Sequence, residues 1–237
     1  MTTFSGTSKL VCLRYGVTQV LLILKYFALA FSALLPVINP LGSALVFLTV
    51  VGNVPSEHFR YLARKVAVSM VLFLLVFEGG GAALLNFFGI SLPVVQLAGG
   101  FVLAAMGWRI LEQSESENKQ SASLVRDAGS LDDKIFFPLT FPISAGPACI
   151  VVTLTLSAHA SGHDLLSSVL GHLGIALAIA ILGVTIWLCY AYAPRITQKV
   201  TPATVQGILR VVAFILLCIG VQIASKGVEA MLKSFAK

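Results

Sequence analysis

Apolar residues fall in runs of about twenty or more, separated by short polar or Gly/Pro-rich punctuation, the pattern of successive membrane-spanning helices. The runs predict six spans, at about Phe27–Val51, Leu62–Phe88, Leu92–Leu111, Ile135–Leu156, Val169–Ala193 and Val205–Gly227. The one long hydrophilic stretch, 112–133, rich in Glu, Ser, Asp and Lys, separates three spans from three. Before the first span, Lys9 to Lys25 is apolar but studded with basic residues, and reads as an interfacial lead-in. The chain thus divides into a lead-in (1–26), a first three-helix unit (27–111), a linker (112–133) and a second three-helix unit (134–230).

The first span of each unit is broken by proline. Leu34-Leu35-Pro36-Val37-Ile38-Asn39-Pro40-Leu41-Gly42 and Leu139-Thr140-Phe141-Pro142-Ile143-Ser144-Ala145-Gly146-Pro147 sit at corresponding places, with Pro40 and Pro147 offset by 107. Each proline removes a helix-interior amide, so Pro36 and Pro40 deprive the carbonyls of Ser32 and Pro36 of their usual donors. A weaker echo links Phe101 to Ile110 with Phe214 to Ile223, where Gly107 aligns with Gly220 at an offset of 113. Two copies of an odd number of spans inserted in sequence must face opposite ways. The expected fold is therefore all-α and integral to the membrane: six transmembrane helices as two inverted three-helix repeats, the first helix of each broken.

Composition agrees with lipid as the solvent: 57% of residues are hydrophobic, 11% are charged and the mean hydropathy is +0.94. The formal charge of +6 lies in short loops and termini rather than in a stripe, which argues against nucleic acid as a partner. Nine basic residues fall on the odd-numbered loops and six on the other side, and the 2–3 and 4–5 connections carry none; the lean is to both termini outside. Cys12, Cys149, Cys189 and Cys218 have no metal or redox spacing. His159, His163, Asp164 and His172 could in principle hold a metal, but Gly162 and the loop position favour solvated side chains, and no metal or other cofactor is expected.

Irregular backbone at membrane depth belongs where it lines a cavity, and paired broken helices in inverted halves point to a transporter's substrate site. Freed carbonyls suit an ammonium group and helix amides after each break suit a carboxylate. The expected substrate-binding residues are Ser32, Pro36, Asn39, Pro40 and Gly42 from the first half, and Thr140, Pro142, Ser144, Gly146 and Pro147 from the second. Two ionisable residues fall inside spans, Glu78 and Arg210, as a coupling group, a buried pair, or residues near an interface. Gly100 and Gly107, and Gly220 and Gly227, lie seven apart and read as helix-packing faces, while Gly79-Gly80-Gly81 reads as a flexible or unwound point. No nucleophile has a base at readable spacing, so the chain is not expected to be an enzyme.

These motifs together, L-P-V-I-N-P-L, F-G-I-S-L-P followed by A-G-G, P-L-T-F-P-I-S-A-G-P and G-V-Q-I, resemble the MarC family of bacterial inner-membrane proteins over about Phe27 to Met231. The resemblance implies a multi-pass inner-membrane protein related to the LysE-type exporter superfamily, some of whose members are described as neutral amino-acid transporters. It carries the family motif onto Asn39 and Pro40, and Gly146 and Pro147, with Arg210 where a basic residue is usual. Gln96, Ala148 and Glu78 depart from the pattern. The expected function is alternating-access transport of a small neutral solute, such as alanine or glycine, with the lipid bilayer as surroundings and self-association left open. The alternatives are a cation or metal transporter or channel, and a membrane scaffold without flux.

Overall fold

The computed structural model describes residues 4–52, 55–112, 134–161, 164–195 and 202–235; the linker 113–133 and His163 lie outside them. The described chain is helical throughout, in eight elements: α1 Phe4–Ile38, α2 Pro40–Val51, α3 Ser56–Phe87, α4 Leu92–Glu112, α5 Ile135–Ser144, α6 Pro147–Ala160, α7 Leu165–Ala191 and α8 Pro202–Phe235. Among the described residues five helical spans are long and apolar enough to cross a membrane, and α5 with α6, bent by 65°, is a sixth where the pair counts as one broken span.

Local chemistry sets the ends. Asp164 caps α7 by accepting from the Ser167 amide at 3.1 Å. Between α3 and α4 the chain turns at Gly89, whose φ of 65° requires a residue without a Cβ, and the Ile90 amide returns to the Leu85 carbonyl. α4, at 21 residues, is about 31 Å long and matches a hydrocarbon core.

The lead-in differs from its expectation. α1 runs unbroken across residue 26, and with α2 it forms an apolar span of 36 residues, Gly16–Val51, about 54 Å of helix. Lys25 does not interrupt it, because a lysine stem lies along apolar surface while its ammonium reaches outward, here over the Tyr26 ring at 5.8 Å. Gly79-Gly80-Gly81 is likewise no break: α3 continues through it, with Gly81 accommodating the Leu154 side chain of α6.

α7 is the hub, the most deeply buried span, with α1 and α3 against it and α5 and α6 filling in beside α3. α4 and α8 form the other main seam. A Cβ on Gly100 would run into the backbone of Gly220 and Ala224, and one on Gly220 into that of Gly100 and Ala104. The pairing is reciprocal and antiparallel, because Gly107 faces Ala213 and Leu217 while Gly227 faces Pro93 and Leu97. It sets Gly100 opposite Gly220 and Gly107 opposite Ala213. Phe87, Phe101, Val76 and Leu165 are strongly exposed on the outside, where lipid rather than water covers them.

Candidate functional site

The first break is a single residue. Asn39 takes a left-handed conformation (φ 46°, ψ 66°), which asparagine tolerates better than most residues and which the following Pro40 favours by excluding the right-handed helix before it. Pro40 then starts α2, where its missing amide costs nothing. The Asn39 side chain folds back to cap α2, Oδ1 accepting from the Gly42 amide at 3.2 Å. A Cβ on Gly42 would occupy the space of that carboxamide, so N-P-L-G acts as one capping unit. Ser43 completes it, its hydroxyl donating to the Asn39 carbonyl at 2.8 Å and lying 3.2 Å from that of Ile38.

The second break is longer. α5 winds wide, with amide bonds reaching five residues back from Leu139 to Lys134 and from Ala145 to Thr140, and Phe137 and Phe141 lie extended within it. Prolines 138 and 142 leave the Lys134 and Pro138 carbonyls without the amide an α-helix would supply, and the lengthened winding is completed by hydroxyls. Thr140 donates to the Ile135 carbonyl at 2.7 Å, and Ser144 to that of Leu139 at 2.6 Å. Both side chains are fully buried. This wall is therefore polar through its own hydroxyls.

Tyr190 of α7 links α2 to the second break. Its side chain is fully buried and its hydroxyl lies 2.7 Å from the Ser144 hydroxyl. Ser144 has one proton and spends it on Leu139, so Tyr190 donates and Ser144 accepts. From the other half, Phe47 of α2 stacks on the Tyr190 ring at 4.4 Å between centroids. One tyrosine thus joins α2, which follows the first break, to Ser144 at the end of the second. The α6 N-terminus beyond it starts at Gly146 and Pro147 with no side-chain cap.

The expected site residues divide accordingly. Asn39, Pro40 and Gly42 form the first break, and Thr140, Ser144 and Gly146 the buried part of the second, while Pro36 lies half-buried one turn before Asn39. Pro142 and Pro147 are exposed, shaping backbone rather than lining an interior. Ser32 is exposed and turns its hydroxyl to the Leu29 carbonyl of its own helix at 3.2 Å. Glu78 and Arg210 do not pair: Arg210 is exposed on α8, whereas buried Glu78 meets His172 of α7, Oε1 to Nδ1 at 2.5 Å. On α7 His172 and Tyr190 are 18 residues apart, about 27 Å, so Glu78 is no wall of the junction. Tyr190, Ser43 and Phe47 were not singled out from sequence, and His172 was considered only as a metal ligand with His159, His163 and Asp164. The signal for Tyr190 was a phenol inside an apolar span, whose hydroxyl must find a partner.

The MarC profile of integral membrane proteins matches residues 24–232, most of the chain. This chain belongs to the MarC family. It is 30% identical to UPF0056 membrane protein MJ1677 of Methanocaldococcus jannaschii over 209 residues, 88% of this chain and 98% of that one. It is 28% identical to UPF0056 inner membrane protein MarC of Salmonella typhimurium over 220 residues, covering 89% and 97% of the two chains, and 26% identical to the Escherichia coli O1:K1 protein of that name over 216 residues, with the same coverage. No solved structure matches. As a MarC-family protein it is a multi-pass protein of the inner membrane, and the family match begins within α1 at residue 24, close to the predicted start of the first span.

Proposed function

We propose that this MarC-family protein transports a small neutral solute, a neutral amino acid such as alanine or glycine, by alternating access at the junction of its two broken helices. The observation that carries the reading is one buried tyrosine between the two halves, its hydroxyl bonded to Ser144 of the second break and its ring stacked on Phe47 of α2, the helix that follows the first. Ser43, Asn39, Thr140 and Ser144 supply neutral polar groups, and Glu78 lies elsewhere, so a substrate carrying net charge would have no counter-charge there. A zwitterion suits the arrangement: the uncapped first turn of α6 offers amides to a carboxylate, and the carbonyl of Pro36, deprived of its donor by Pro40, offers an acceptor to an ammonium.

In this reading the conformation is occluded, with Tyr190 and Phe47 occupying the space a substrate would take. Transport opens the junction by exchanging the Tyr190–Ser144 bond for bonds to substrate. The reciprocal antiparallel seam of α4 and α8 supports two inverted halves rocking against each other. The site binds and releases without covalent chemistry, so the protein is a carrier and not an enzyme. The cation reading loses its support, because the fixed carboxylate it needs is not beside the breaks. A membrane scaffold without flux is favoured by one observation, the filling of the junction by Tyr190 and Phe47.

Purified protein in liposomes should exchange labelled alanine or glycine. Asn39→Ala and Ser144→Ala should each slow exchange at least about tenfold while the protein stays monodisperse, since each removes a hydrogen bond in a dry site. Folded wild-type protein exchanging no small neutral amino acid would overturn the substrate and favour the scaffold. Full exchange by both variants would overturn the site.

A further inference from the structure

A second polar centre lies at the other end of α7. Glu78 on α3 is buried, with 8% of its side chain exposed, and His172 on α7 is 30% exposed; they meet at Oε1 and Nδ1. Residues of α6 close around them: the Ser157 hydroxyl donates to the Glu78 carbonyl at 2.7 Å, and the Ser161 hydroxyl lies 3.3 Å from His172 Nε2. Among the described residues, the other titratable groups on the neighbouring elements are engaged. The His159 ring bonds the Thr155 carbonyl, the Tyr26 hydroxyl on α1 donates to the His159 carbonyl, and Asp164 holds Ser167 at the start of α7. His172 is seven residues into α7, about 10 Å from its start, and Ser161 is exposed. The pair is thus buried on the carboxylate side and partly exposed on the imidazole side.

We propose that Glu78 and His172 form a proton-binding site that couples proton movement to opening of the Tyr190 junction. In the loaded state the imidazolium donates through Nδ1 to Glu78 and through Nε2 to Ser161, and the pair carries no net charge. Unloading moves one proton from Nε2 to water at Ser161; Nδ1 keeps its hydrogen on Glu78, and the Ser161 hydroxyl turns from the Ser157 carbonyl, to which it donates at 3.1 Å, to donate to Nε2. The unloaded pair carries one negative charge inside a span, which is costly to bury. That cost favours a rearrangement of α3 against α7 that admits water. His172 and Tyr190 lie five helical turns apart on one face of α7, which has no proline, so a shift at one end is carried to the other.

The coupling role rests on the transport reading above; the proton site does not. In liposomes, wild-type protein should exchange alanine at equal pH and accumulate it when a pH gradient of one sense is imposed. Glu78→Gln keeps the size of the side chain, and its folding is checked by thermal unfolding. It should retain exchange within about threefold and lose gradient-driven accumulation, because exchange needs no net proton release. A Glu78→Gln protein that still accumulates alanine overturns the coupling. If wild-type protein exchanges nothing, the transport reading fails, and the proton site is tested separately. Purified protein is then titrated with acid in the presence of an indicator dye, and wild type should bind more protons than His172→Gln. Equal uptake by the two overturns the proton site.

Discussion

Tyr190→Phe isolates the hydrogen bond that closes the junction. It removes one oxygen and keeps the ring that stacks on Phe47 at 4.4 Å, so packing is preserved. The bond lost is the 2.7 Å contact to Ser144, which remains bonded to the Leu139 carbonyl at 2.6 Å. A buried neutral hydrogen bond contributes about 1 kcal/mol, and one whose surviving partner keeps another bond falls near that value. If closure depends on this bond, the ratio of open to closed protein rises about fivefold. The protein carries its own reporter, because Cys149 is buried in the first turn of α6, its amide bonded to the Gly146 carbonyl at 2.9 Å. With Cys12, Cys189 and Cys218 replaced by serine, Cys149 should react with a water-soluble thiol reagent about five times faster in Tyr190→Phe than in the Tyr190 protein. An unchanged or slower rate would refute the reasoning, since the hydroxyl would then not be what holds the breaks together.

Further expectations follow from the packing. Gly100→Leu places a side chain against the backbone of Gly220 and Ala224, which cannot swing aside, and should cost about 1–3 kcal/mol, seen as a fall of several degrees in thermal unfolding in detergent. Gly80→Ala, where a Cβ meets nothing, should leave the unfolding temperature unchanged or raise it. Gly42→Ala displaces the Asn39 carboxamide from its cap and should destabilise by about 1 kcal/mol in the same assay, with Asn39→Gly,Gly42→Ala no worse than Gly42→Ala alone. Arg60 and Arg195 flank the Tyr192 ring at 5.9 and 5.6 Å, marking a basic, aromatic end of the bundle that the positive-inside rule assigns to the cytoplasm. A lone cysteine at Ser91, at the opposite end, should therefore be labelled by an impermeant maleimide added to intact cells.

Much of this molecule was legible in the sequence because lipid imposes simple rules. Apolar runs gave the spans, proline gave both breaks, and glycine spacing gave the packing faces of α4 and α8 but not their pairing. What escaped was long-range pairing between single residues. Nothing in the sequence around Tyr190 says that it meets Ser144 and Phe47, and Glu78 lies 94 residues from His172. An arginine was the more obvious partner for a membrane carboxylate, but Arg210 faces outward. The asymmetry of the breaks was hidden for a different reason. Both motifs hold two prolines, yet an asparagine lets the first close in one left-handed residue, while the second has Thr140 and Ser144 to sustain a wide-wound stretch.

The central claim is that the two breaks form one site, and protection of cysteines by substrate tests it most directly. Cys149 reports the second break, and Ser43→Cys in a background lacking the other cysteines reports the first. Saturating alanine should change the thiol-labelling rate of both, in the same direction and with the same half-saturating concentration. A response at one break alone, or different concentrations at the two, would contradict a shared site.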